Sequence, residues 1–498
     1  MATTTGPSLS SQSAAGRTFR LAKVAGVLAV CASAVSQEYG SGINFVMVNS
    51  LGTYPNVKWL VPLAMLVAGL VLIPKVMMFA RFSAVAPRAG SSYVWLTRSL
   101  GLPVGFFAAF LWFVGVGAAG GFLAYASGPF IGAFLTSIGV NGAWCTTTVG
   151  HLAIGLAAIW LIFGLHNSGV GNYATFVSIM FVLVLIAAVL TIGYGFGTSQ
   201  ATFLAKVNSI VPMTAPASPG TASWGNFVQV IVLFMFAYGG LTAATSLGGE
   251  AKDAERTMPR GIIWGFATAL VLYTVIAYAL FHAVPYWAVG PLIAAKKQAL
   301  ATTPGLIGLI APKAVSAFLN FLVAVIVVKT IAPGMLDCSR FLFAWGSDGL
   351  LPKGFAETNR HKAPQLALLV MALLDTFFLL EATFLGWSIG VTVRSISLVF
   401  VFGMLGVGVF NLKYGGAKSS PLAGAVERYP DLLIWAPLAI IIAIILIASV
   451  IVVPKAAWYF QPSFQGLVSI LIAAWIYYAA KGRDGAITSR AATHLTDE

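Results

Sequence analysis

Charge is scarce in this sequence: Asp, Glu, Lys and Arg make up only 8% of the 498 residues, where a soluble domain carries about a quarter. With 59% hydrophobic residues the chain lacks the polar surface of a dissolved enzyme or binding module. An integral membrane protein is what remains. Cysteine is nearly absent. Cys31, Cys145 and Cys338 fall in or near apolar stretches without metal-type spacing, which argues against a disulfide framework and a zinc site. His151, His166, His282 and His361 share no ligand spacing either. No Walker or Rossmann glycine pattern joins a strand to a helix, and no catalytic Ser, Cys and His arrangement is found. The sequence therefore calls for no metal, no cofactor and no catalytic residue, and it does not read as an enzyme. Acidic residues are few, 14 against 28 basic, but in a membrane protein the position of each Lys and Arg matters more than the sum. Nucleic acid is not an expected partner.

What is present is apolar sequence in lengths near the roughly 20 residues that span a bilayer. Twelve stretches qualify, at 24–50, 57–80, 103–136, 149–165, 172–197, 227–249, 262–284, 314–336, 365–386, 388–411, 431–453 and 464–480. The expected fold class is an all-α polytopic membrane protein. Residues 1–16 read as a disordered tail. Arg17, Arg20 and Lys23 then precede a run too long for a signal-peptide core, so this is a retained first helix. With the N-terminus inside, the outer segments hold only Lys58, Lys206, Lys296, Lys297, Lys313 and Lys455, while Lys329 and Arg394 lie within spans and the other basic residues, Lys75 among them, fall on the cytoplasmic side. That bias predicts cytoplasmic termini in the plasma membrane.

The first span should be unbroken and is not. Ser36, Gln37, Glu38, Tyr39, Gly40, Ser41, Gly42, Ile43 and Asn44 place polar and glycine residues near the midplane. Irregular backbone at that depth is tolerated only where it is buried in protein or lines a cavity. A second interruption, Phe236, Ala237, Tyr238, Gly239, Gly240, Leu241 and Thr242, lies about 200 residues on, as expected of two inverted halves. Amides freed at Gly40, Ser41, Gly42 and Ile43 suit a substrate carboxylate, and carbonyls freed at Ala237–Gly240 suit an ammonium. Phe236, Tyr238, Thr242 and Trp112 would then sort the side chain. Close helix packing through small residues is the bland alternative for the glycines, and aromatic packing is the bland one for Phe236 and Tyr238.

Glu38 lies about 22 Å beyond Lys23 at the helical rise, too deep to snorkel. Ionisable residues at such depth mark a pathway, a relay or a partner. Glu38 could bind a cation or carry a proton, or it could form a structural salt bridge with Lys329. Lys329 itself lies mid-span in the eighth stretch and could simply face water or, on the family resemblance drawn below, stand in for a coupling cation. Asp375, Glu381 and Arg394 surround the ninth and tenth spans, where local pairing is expected.

Three connections on the inner side mix charge with Gly or Pro: Ala86–Trp95, Gly249–Arg260 and Ser339–Pro352. Together with the Gly-Ser-Gly-Ile of 40–43 and the break at 236–242, they resemble motifs of the amino acid-polyamine-organocation family of secondary transporters. The five motifs occur in the family's order across residues 40 to 352. The resemblance implies a LeuT-type fold of five helices repeated inverted, then two peripheral helices. On this reading residues 17–200 form the first repeat, 225–413 the second, 430–482 the peripheral pair and 483–498 a cytoplasmic tail. It implies a permease moving amino acids or related amines by alternating access, with proton-coupled symport or exchange as the mode. Membrane lipid and protons are then partners beside the small-molecule substrate. The chain departs from the family in having Thr242 where Glu is frequent, Asp253-Ala254 in place of Asn-Pro, and no lysine in the fifth span. A sensor or passive channel on the same fold is the alternative; it would bind without saturable flux.

Overall fold

The computed structural model describes residues 21–481 except 219, 236, 298, 386–388, 451–457 and 459–460. The two terminal tails expected from the sequence, and Phe236, lie outside the described residues. In chain order the α-helices are α1 (Val27–Glu38), α2 (Met47–Thr53), α3 (Val61–Val71), α4 (Ile73–Val85), α5 (Ser91–Leu100), α6 (Leu102–Ser137), α7 (Thr148–Asn167), α8 (Val170–Phe196), α9 (Gln200–Val207), α10 (Trp224–Met235) and α11 (Thr242–Ser246). They continue as α12 (Ala254–Ala283), α13 (Val289–Ala294), α14 (Thr303–Ile310), α15 (Lys313–Lys329), α16 (Ile331–Ser347), α17 (Gln365–Leu385), α18 (Ile389–Tyr414), α19 (Gly424–Arg428), α20 (Leu432–Val450) and α21 (Pro462–Lys481). Among the described residues there is no β-sheet, only an isolated parallel bridge between Ala25 and Ala251.

Among the described residues eight continuous helical segments are long and apolar enough to cross a membrane, and a ninth is reached if α19 and α20, bent by 103°, act as one span. The chain is thus an all-helical, multi-pass membrane protein. Fewer long helices than apolar stretches appear because two stretches are interrupted, α1 stopping after 12 residues and α10 after 12, each too short to span alone, and because the helix of the last stretch, Phe464–Ala480, also falls short of that length.

Helix α6, 36 residues long, forms the hub and packs on α5, α7, α15, α16, α17, α18 and α21. Small residues allow that density. A Cβ at Gly120 would stand 2.4 Å from the Asp375 carboxylate, and one at Gly121 2.5 Å from Phe378, so α6 and α17 touch almost backbone to backbone. Around the other side, α12 packs on α1, α3, α4 and α8.

Two sequence expectations change here. The charged connections are largely helix: α5 begins at Ser91, α12 at Ala254, and α16 runs on to Ser347, because a helix outlasts its apolar stripe when protein rather than lipid surrounds it. Lys75, counted among the inner loops, lies within α4 and is 1% exposed. The span continues past Pro74 because Pro at a helix's first turn costs no hydrogen bond.

Candidate functional site

The two interruptions are real and they meet. Helix α1 ends at Glu38, Tyr39 turns to ψ 91°, and the chain resumes through the widened helical turn Gly42–Val46 into α2. The second break runs from Ala237 to Leu241 between α10 and α11. A Cβ at Gly42 would lie 2.6 Å from the Ala237 Cβ and 3.0 Å from its Cα. One at Gly240 would lie 2.8 Å from the Glu38 backbone nitrogen. Only glycine permits this contact, since real Cβ atoms need more room.

Unpaired backbone at this depth costs several kcal/mol per group, so each break must be completed by other elements. Lys329, the last residue of α15, donates Nζ to the Ser36 carbonyl at 2.5 Å and the Tyr39 carbonyl at 2.9 Å. It therefore binds main chain, and not Glu38 as the salt-bridge alternative required. Asn44 Nδ2 donates to the Gly40 carbonyl at 2.9 Å, and Thr303 Oγ1 to the Ile43 carbonyl at 2.8 Å. At the second break Lys75 Nζ donates to the Gly239 carbonyl at 3.1 Å, and Tyr273 OH to the Ala237 carbonyl at 3.5 Å. Gln37 joins the two: its Oε1 accepts from the Ala243 N–H at 2.9 Å, and its Nε2 donates to Thr242 Oγ1 at 3.3 Å.

Of the sequence-predicted residues, Gly42 meets Ala237, Gly240 packs on Gln37 and Glu38, and Thr242 meets Gln37; Gly40 lies instead against Thr330, the Ile43 carbonyl is taken by Thr303, and Ser41 is half-buried at the head of the widened turn. The Tyr238 ring lies 4.9 Å from that of Tyr273, tilted by 52°, and its hydroxyl donates to the Met65 carbonyl at 3.1 Å. Trp112 does not line the junction with its ring nitrogen free; Nε1 donates to Asp337 Oδ2 at 2.7 Å, while Ser246 Oγ donates to Oδ1 at 2.5 Å. Glu38 is 3% exposed and neither carboxylate oxygen has a hydrogen-bond partner. Lys75 is the basic group whose charge acts on it.

The expected local pairing of Asp375 is not found. Both its oxygens lack partners although it is fully buried. With Gln37, Gly120, Thr330 and Arg394 it lines a cavity of about 10 Å³, whose remaining wall is largely aliphatic, from Val116, Ala119, Leu123, Ile331 and Met335. A much larger groove of about 790 Å³ opens far from the breaks, between Phe163 and Asn167 of α7 and the 354–369 segment. It is an open surface feature and touches neither break.

Sequence reasoning missed Lys75, Gln37 and Asp337 as parts of the site. A lysine directly after Pro74, inside an otherwise apolar run, was the available signal for the first.

Beyond the junction two ion pairs are sealed from water. Arg340 meets Glu250 at 2.7 and 3.2 Å, and Arg88 meets Asp348 at 2.6 and 3.3 Å with Tyr93 OH donating to the same carboxylate at 2.7 Å. Main chain adds to this closure: Val24 and Ala25 N–H both donate to the Glu250 carbonyl at 2.9 Å, and Lys252 N–H donates to the Ala25 carbonyl at 2.9 Å. Farther out, Arg428 pairs with Glu255 and holds that carboxyl below its ordinary range, chiefly through their hydrogen bond.

Two broken helices meeting inside a multi-pass bundle, with closures of buried ion pairs beside them, define the class of membrane transporters. The comparisons agree: the family model for amino acid permeases matches residues 26–480, and the chain belongs to that family. It is 27% identical over 388 residues to a branched-chain amino acid permease of Lactococcus lactis, covering 74% of this chain and 77% of the relative. A low-affinity putrescine importer of Escherichia coli is 27% identical over 277 residues, 54% of this chain and 55% of the relative. A serine/threonine exchanger of Bacillus subtilis is 24% identical over 262 residues, 53% and 55%. The chain thus spans about three quarters of the first and about half of the other two. Its function is that of a secondary transporter for amino acids or amines.

Proposed function

We propose that the chain is a twelve-span permease of the plasma membrane, with cytoplasmic termini, that moves amino acids by alternating access at the junction of its two breaks. Taking α1 with α2, α3 with α4, α10 with α11 and α15 with α16 as single spans, and adding α6, α7, α8, α12, α17, α18, α20 and α21, gives twelve. The near-contact of Gly42 with Ala237 supports an inverted five-plus-five arrangement over 17–200 and 225–413, each half contributing one broken span. That contact is the observation that carries the reading.

The carboxylate docks at the amides of Gly40–Ile43, and the amine docks at the carbonyls of Ala237–Gly240. The similarity to a branched-chain amino acid permease points to an apolar side chain on the substrate. Lys329 holds carbonyls of the broken first span where a coupling cation would otherwise be needed, so transport runs without sodium. Glu38, buried and unpartnered, carries the coupled proton. On this reading the ion pairs of Arg340 and Arg88 seal the inner end, while at the outer end Thr303 of α14 donates to the Ile43 carbonyl and Asn49 Nδ2 donates to the Ala301 carbonyl at 2.9 Å.

The test is uptake by the purified chain in proteoliposomes with L-leucine, L-threonine and putrescine, with and without a pH gradient and sodium. Saturable uptake of at least one compound, stimulated by acid outside and indifferent to sodium, is expected. Binding without flux would indicate a sensor, non-saturating flux a channel; either result overturns the proposal.

A further inference from the structure

The proposed cycle employs one of two buried lysines that hold broken backbone. The other, Lys75, occupies the carbonyl that the amine of a substrate would need. Its Nζ lies 3.1 Å from the Gly239 oxygen and 5.5 Å from the centroid of the Phe79 ring. An ammonium has three donors, and the carbonyl and the ring face engage only part of that capacity. Glu38 stands across the same break, packed so closely that a Cβ at Gly240 would come within 2.8 Å of its Cγ, and its two oxygens are unpartnered. The break thus sets a lysine held on main chain against a buried carboxyl whose oxygens have no hydrogen-bond partner.

We propose that Lys75 is a tethered competitor for the amine-recognition carbonyl of the second break. It completes the break when the site is closed without cargo. An incoming ammonium takes the Gly239 oxygen, and the displaced Nζ moves to donate to an unpartnered oxygen of Glu38, which a protonated carboxyl accepts as an ionised one does. The proposal rests on the reading that this break receives the amine. Lys75 is in this sense a specificity-determining residue, since only a ligand that brings its own ammonium can replace it without leaving the carbonyl bare.

Competition has a signature that structural support lacks. A group holding the carbonyl nine-tenths of the time weakens apparent affinity about tenfold, so removing it should improve binding. The experiment measures KM in proteoliposomes for L-leucine, L-threonine and putrescine, with 4-methylpentanoate, which is leucine without its amine, as a competitive inhibitor. Lys75→Met should lower KM for each transported amine severalfold, up to about tenfold, and leave the inhibition constant of 4-methylpentanoate unchanged; Lys75→Arg should stay near the parent. If the methionine variant does not fold, Lys75→Gln, which retains a donor, should shift KM in the same direction by less. An unchanged or raised KM in the folded variant, or an equal gain for 4-methylpentanoate, would overturn the proposal. Failure of the parent to transport any of the three compounds would instead strike at the proposed function, so the two failures are distinct.

Discussion

At the scale of single residues, the junction is a set of main-chain groups each held by one side chain from elsewhere, and this makes the effects of substitution separable. Gly42→Ala sets a methyl 2.6 Å from the Ala237 Cβ and 3.0 Å from its Cα. Because the neighbour includes backbone it cannot simply swing aside, and the two breaks must part. Substrate binding should collapse, measured by thermal shift with L-leucine; a variant that binds as the parent does would place the site elsewhere. Lys329→Ala bares the carbonyls of Ser36 and Tyr39, at a cost on the order of 1–3 kcal/mol for each buried group left unpaired. The melting temperature in detergent should fall, and a cysteine at position 36, now buried, should become reactive from the inner side. Unchanged labelling would remove Lys329 from the closure. Glu38→Gln should abolish stimulation of uptake by a pH gradient while exchange persists, and retained acid-driven accumulation would exonerate the carboxyl. The breaks themselves were legible in the sequence, since Gly40, Ser41 and Gly42 have no business in an apolar helix unless something else completes the backbone. What completes it was only half legible. Lys329 stood out as a charge in mid-span, whereas Lys75 follows a proline near the end of an apolar stretch and reads as loop. Its burial depends on α4 packing against α12, a long-range fact that local pattern does not carry. Gln37 was visible only as one polar residue among several; that it spans to Ala243 depends on how the halves dock.

At the scale of elements, the charged connections act as clasps. Sequence marked them correctly by their mixed charge and their Gly and Pro residues, but it took helix starts and ends for loops. The pairing of Arg340 with Glu250, and of Arg88 with Asp348, is set by tertiary packing of α16 and α5 and could not be assigned from order in the chain. Removing one partner of a buried ion pair costs about 3–5 kcal/mol, because the other charge is left without compensation. Arg340→Gln should therefore shift the population toward an inward-open form, read as faster cysteine labelling at position 36 together with slower net uptake. Adding Glu250→Gln in the same chain should restore part of the closure, since no bare charge remains. If the double variant labels as fast as the single one, the pair is not what holds the inner end.

At the scale of the whole molecule, the apolar stretches predicted the membrane class outright, while the long-helix count of eight or nine shows how an interrupted span escapes any criterion based on continuous length. The first and sixth stretches lose their continuity at the junction proposed as the substrate site. Orientation follows from the bias of basic residues to one face, and it too has a direct check: epitopes placed at both ends should be digested by protease only when vesicles are inverted, and protection of just one end would break the twelve-span topology. Moving Lys75 from the loops into the bundle lowers the inner count by one and leaves the bias intact.

The strand-like pairing of Val24 and Ala25 with Glu250 and Lys252 has a consequence for how this protein tolerates change over generations. Because the contact is made by peptide groups, ordinary missense substitutions at the exposed position 24 leave it standing and drift there is nearly silent, whereas Ala25, fully buried, has no room for a larger side chain. Proline is the exception at position 24, since it alone removes the donor. Val24→Pro should be poorly tolerated in a growth-based mutational scan where other replacements at the same codon pass, a pattern that side-chain interactions do not produce.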